Sequence, residues 1–127
     1  MRRSLIVSVT ILLLVAAVCG TCEWYNGASV RRYRLALMPV EAALDGGQWE
    51  EALRLTQQIS IQWEREAGFI QLWINHADTD AVTHALRGLE ISARNADFLS
   101  AMLFYGDCVE NFDHLHHRDA FTLKNIL

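Results

Sequence analysis

Two groups of side chains in this sequence of 127 residues have the types and spacing to do chemistry. Glu110, Asp113, His114, His116 and His117 crowd into eight positions. Within them Glu110 and His114, and Asp113 and His117, lie four residues apart, one helical turn, where two side chains on one face can reach the same divalent ion. His76, Asp80 and His84 repeat that spacing upstream. Both groups also have an ordinary explanation. Carboxylates and imidazoles are common on the polar face near a helix end, where a protonated histidine favours the dipole. Asp78 and Thr79 fall between His76 and Asp80 and have the chemistry of a helix cap, which would break the shared face. Glu110, Asp113, His114 and His117 remain weak metal candidates, and no cofactor is expected.

Catalytic constellations are missing. No GxSxG, HExxH or phosphate-binding glycine loop occurs. General acid and base catalysis needs carboxylates perturbed by an apolar cleft, and only Glu66 comes near an apolar stripe, at its edge. No enzymatic activity and no small-molecule substrate are expected.

The elements that must position these residues begin with a membrane segment. Arg2 and Arg3 precede an uncharged run from Ser4 to Thr21, and Glu23, Trp24 and Tyr25 follow it. The run is about 18 residues, the short end of the 17–25 that spans a bilayer. Basic residues before it and aromatic residues after it orient such a span with its amino end in the cytoplasm. A signal anchor over residues 1–22 and an extracytoplasmic domain over 23–127 are expected, at the cell membrane with a single pass. Three alternatives remain open. The run can be a cleaved secretory signal, although Ala17-Val18-Cys19 and Val18-Cys19-Gly20 match the cleavage pattern only in part. Cys19 or Cys22 can carry a lipid. Arg31, Arg32 and Arg34, just past the run, favour the reverse orientation.

Charge and cysteine narrow the partners. The chain carries 11 basic against 15 acidic residues, a formal charge of −4, and Lys124 is its one lysine. Nucleic acid, which is held by clustered Lys and Arg on phosphates, is excluded as a partner. Cys19-Gly20-Thr21-Cys22 has redox spacing but sits at the membrane boundary rather than in a βαβ setting. Cys108, between Leu103 and Phe112, suits a small core position.

Periodicity predicts helices throughout. Val30, Tyr33, Leu37, Val40 and Leu44 recur at steps of three and four, with Pro39 inside the stripe predicting a kink or a new start. Asp45-Gly46-Gly47 ends that helix. A second helix, Gln48 to Asn75, carries Trp49, Leu53, Thr56, Ile59, Trp63, Ala67, Ile70 and Ile74. A third runs to about Arg94 with Val82, Leu86, Leu89 and Ala93, then Asn95-Ala96-Asp97 breaks or bends the chain. A fourth runs from Phe98 to about His117, with Leu99, Met102, Leu103, Val109 and Phe112, before a short tail. The fold class is all-α: an N-terminal transmembrane helix followed by a small antiparallel bundle of about four helices. Gly47 to Leu53 has the look of a tetratricopeptide opening, but a solenoid needs several copies and there is one.

Taken together, the basic start and span, Gly47-Gln48-Trp49-Glu50-Glu51-Ala52, Trp63 with Asn75-His76-Ala77-Asp78-Thr79-Asp80, and the closing Thr122-Leu123-Lys124-Asn125-Ile126-Leu127 resemble one family. It is similar to the small single-span proteins of spore-forming Gram-positive bacteria known as domain of unknown function 4363. The resemblance covers nearly the whole chain and implies a membrane-anchored helical protein, with no catalytic residues to carry over. The expected function is a non-enzymatic interaction or accessory domain for another membrane or envelope protein, acting through its bundle surface or the turn bearing Trp73, His76, Asp78 and Asp80. The alternative is a metal- or pH-responsive sensor at the histidine-rich end of the last helix.

Overall fold

The computed structural model describes the backbone of residues 1–72 and 74–126, and the side chains of the same residues as far as Leu115. Among the described residues four helices account for the fold and no strand occurs: α1 (Arg2–Asp45), α2 (Trp49–Ile70), α3 (His76–Arg94) and α4 (Phe98–Ile126). They run up, down, up and down. α1 packs on α2 and α4, and α3 packs on the same two, which closes a four-helix ring.

α1 is a single helix of 44 residues, about 66 Å long at 1.5 Å per residue. Its amino-terminal part carries an 18-residue window of mean hydropathy 2.6, of which none is buried against the rest of the protein. From Asn26 onward the same helix turns one face inward, burying Val30, Tyr33, Leu37, Val40 and Leu44. Pro39 does not divide it, so of the two expected outcomes no new helix starts there. Proline removes one backbone donor, but here its ring lies on the exposed face, and Leu37 and Val40 on either side are fully buried and hold the helical path.

The turns are set by backbone geometry. Gly47 takes a left-handed φ of 67°, and the Gln48 amide reaches back to the Ala43 carbonyl at 2.8 Å while that of Gly47 reaches Leu44 at 3.1 Å. This doubly bonded reversal satisfies carbonyls that the end of α1 leaves open. The α3–α4 turn repeats it, with Asp97 bonded to Ser92 and Ala96 to Ala93, although Ala96 must adopt φ 52° without being glycine. Asp97 Oδ1 then accepts the Ser100 amide at 3.2 Å and caps α4.

The α2–α3 turn departs from expectation. α2 stops at Ile70, not Asn75, and the cap of α3 is Asn75, whose side chain accepts the Ala77 amide at 3.0 Å. Thr79, expected to cap, is instead buried within the helix, where its hydroxyl donates to the His76 carbonyl and accepts from Gln71 Nε2. Asp78 lies in the first turn of α3 rather than before it.

The core is centred on three rings from three helices. Tyr33 stacks on Phe112 at 4.8 Å, and Trp63 meets both edge-on at 5.6 and 5.4 Å. Such pairs contribute about 0.5–1.5 kcal/mol each beyond area burial. Trp63 Nε1 donates to Thr83 Oγ1 at 2.9 Å, so the indole's polar edge is satisfied by α3. Two further expectations are corrected at α4. The helix runs past His117 to Ile126, and Leu99 and Leu103 point outward; its buried line is Ala101, Cys108, Phe112 and Leu115.

Candidate functional site

Of the histidine-rich end of α4, the described candidate side chains are Glu110, Asp113 and His114. His114 Nε2 lies 3.6 Å from Glu110 Oε1, one turn apart, but Asp113 is drawn across to α1, where its carboxylate meets Arg34 at 3.2 Å. The side chain of His117 lies outside the described residues. Among the described residues no group of three or more His, Cys, Asp or Glu is placed to hold a metal. His76, Asp80 and His84 do share one uninterrupted helix, all exposed, yet the first and last are eight residues and about 12 Å apart along it.

The proposed turn surface is also divided. His76 and Asp80 are exposed, Asp78 is half-buried and engaged in an interaction, and Trp73 lies outside the described residues. His76, Asp78 and Asp80 stand on the first turns of α3.

A surface feature that the sequence reading missed lies between α1 and α4. Arg31, Arg34, Leu35 and Met38 of α1 face Tyr105 and Val109 of α4 across an open groove of about 400 Å³. Leu35 and Met38 are 67% and 61% exposed, high for large apolar side chains on a helix whose opposite face is buried. The groove continues along α4 past Gly106, Glu110, Asp113 and His114. Tyr105 is anchored by its hydroxyl, which donates to Glu41 at 3.2 Å; burial, then the Glu41 charge, push its pKa up to about 12. Arg34 is held by Asp113, while Arg31 at the groove's lip makes no ion pair with the described residues. The signal was present: Arg31, Leu35, Met38 and Ala42 recur at four, three and four, a second stripe beside the one that faces the core.

A partly buried polar cluster lies between α1 and α2. Arg32 pairs with Glu66 Oε1 at 2.8 Å, and the other oxygen of Glu66 is enclosed with no hydrogen bond of normal length and angle, as is the Tyr33 hydroxyl. Burial, and next the Glu66 carboxylate, raise the Tyr33 pKa and keep the phenol protonated. A small hollow beside Ser60, Trp63, Thr83 and Glu90 is only about 30 Å³, too small for a metabolite.

These features define an all-helical bundle carried on a helix with an apolar extension, with an open groove between α1 and α4. The chain belongs to the family described as a domain of unknown function, DUF4363, whose model matches residues 28–126, the bundle without the apolar run. No curated protein and no solved structure matches the chain.

Proposed function

We propose that the protein is a membrane-tethered, non-enzymatic interaction domain, held with its bundle outside the cytoplasm, that binds another membrane or envelope protein through the α1–α4 groove. The observation that carries this is the position of the groove: it lies on α1, the same rigid helix that extends into the apolar run. A partner in the same membrane would meet this face first. Its floor of Leu35, Met38 and Val109 fits an apolar helix face, and Arg31 at the lip fits a carboxylate on that helix. The sensor reading has less support, because among the described residues Asp113 is paired with Arg34 and only Glu110 and His114 stand together at that end.

The test is a photoreactive amino acid in place of Met38 in the full chain in its native cells. A discrete adduct with another membrane or envelope protein, lost on Leu35→Asp, is expected. No adduct, an adduct with a second copy of this chain only, or one indifferent to Leu35→Asp would overturn the groove assignment.

A further inference from the structure

The bundle's base carries apolar side chains at a definite height along α1. The Tyr25 and Phe69 rings meet edge to face at 5.9 Å, which sets the end of α2 beside residue 25 of α1. Tyr25 is four residues past Thr21, the last of the uncharged run, so Phe69 stands about 6 Å above the end of that run at 1.5 Å per residue. α2 descends toward the run, and the chain continues past Phe69 through a tight turn in which the Leu72 amide bonds the Phe69 carbonyl at 3.2 Å. Three residues past Phe69 at about 1.5 Å per residue would bring Leu72 roughly 4 Å lower, near the level of Cys22. Phe69 is 53%, Leu72 77% and Trp24 71% exposed. In water three such side chains at one level are a cost. Just outside the hydrocarbon edge they sit where aromatic and apolar groups are favoured, and where the exposed Asn75 and His76 that follow keep their hydration.

We infer that the α2–α3 turn is a second membrane contact: Phe69 and Leu72, with Trp24, embed in the headgroup boundary of the bilayer that the apolar run of α1 crosses. This rests on the anchor reading above. Its occupant is the lipid of that same bilayer, because the height along α1 puts Leu72 at the lipid boundary whatever protein sits on the groove. The contact gives the bundle two fixed points, the span and the turn, and so limits rotation about the α1 axis and fixes where the α1–α4 groove faces.

The test uses the full chain with Cys19, Cys22 and Cys108 replaced by serine or alanine, in phosphatidylcholine nanodiscs at one chain per disc. An environment-sensitive fluorophore is attached at Val9→Cys, Leu72→Cys or Leu99→Cys. Leu99 is 72% exposed at the opposite end of the bundle, so neither it nor Leu72 removes core packing. The probe at position 72 is expected to be quenched by nitroxide lipids labelled near the headgroup, and to be at least about threefold less quenched by aqueous iodide than the probe at position 99. The probe at position 9 is expected to respond to nitroxides deep in the acyl region. Equal iodide quenching at 72 and 99, with position 9 deep in lipid, overturns the turn contact and leaves the anchor standing. A probe at position 9 that no lipid nitroxide quenches overturns both.

Discussion

Two residues where helices pack have properties that a substitution or a pH change exposes. A methyl group at Gly88 of α3 would fall inside the Phe104 ring of α4, so the absence of a side chain there is what lets the two helices close. Gly88→Ala should cost about 1–3 kcal/mol in spite of alanine's better helix propensity, the usual penalty of overpacking. Urea unfolding of the detergent-solubilised chain, followed by tryptophan fluorescence, checks the sign; a more stable variant would mean that the ring simply swings aside. Cys108 is fully buried, and burial, with a smaller contribution from the Asp107 charge, pushes its thiol from 9.0 up to about 12. The folded protein then holds this proton more tightly than the unfolded chain does. Its contribution to stability is complete below pH 9 and drains away as pH rises toward 12. The melting temperature should therefore fall between pH 9 and 11, and fall less in Cys108→Ala. Equal slopes in the two proteins would show that the thiol does not ionise on unfolding.

At the scale of elements, the α3–α4 turn is the place where the chain works against its own residue. Ala96 holds a left-handed φ that costs an L side chain about 1 kcal/mol and costs glycine little. Ala96→Gly should stabilise the bundle by about 0.5–1 kcal/mol, visible as a higher urea midpoint with an unchanged slope; a lower midpoint would place the alanine methyl in a packing role. The same contrast explains what the sequence made legible. The α1–α2 turn could be read directly because Gly46-Gly47 advertises a left-handed residue, and the buried stripes of α1, α2 and α3 could be read because large apolar residues mark them. α4 misled, since its core line is Ala101, Cys108, Phe112 and Leu115 while Leu99 and Leu103 face out: hydrophobicity alone does not say which side of a helix is covered. The cap of α3 was misplaced because Asn75, Asp78 and Thr79 are all competent caps, and only packing decides that Thr79 goes inside. The candidate ligands of α4 shared a helix turn, but the cross-helix pull of Arg34 on Asp113 lies 79 residues away in sequence and leaves no local trace.

At the scale of the molecule, the governing feature is that one helix is both apolar extension and bundle wall. Asn26 marks the join: it is buried, and its Nδ2 donates to the Leu115 carbonyl of α4 at 3.0 Å, pinning the last helix to the first just beyond the uncharged run. In the proposed tether one continuous helix would carry the orientation of the apolar run to the groove, where a flexible linker would lose it. The proposed side-by-side binding of a membrane partner needs that continuity, and it needs the run to stay attached with the bundle on the outer side. The most direct measurement is labelling of Leu99→Cys, in a background without Cys19, Cys22 and Cys108, by a membrane-impermeant maleimide on intact cells, followed by carbonate extraction. Full-length protein labelled without permeabilisation and retained in the carbonate-resistant membrane fraction is the predicted result. Label that appears only after permeabilisation, or labelled protein shortened and released into the soluble fraction, would contradict it.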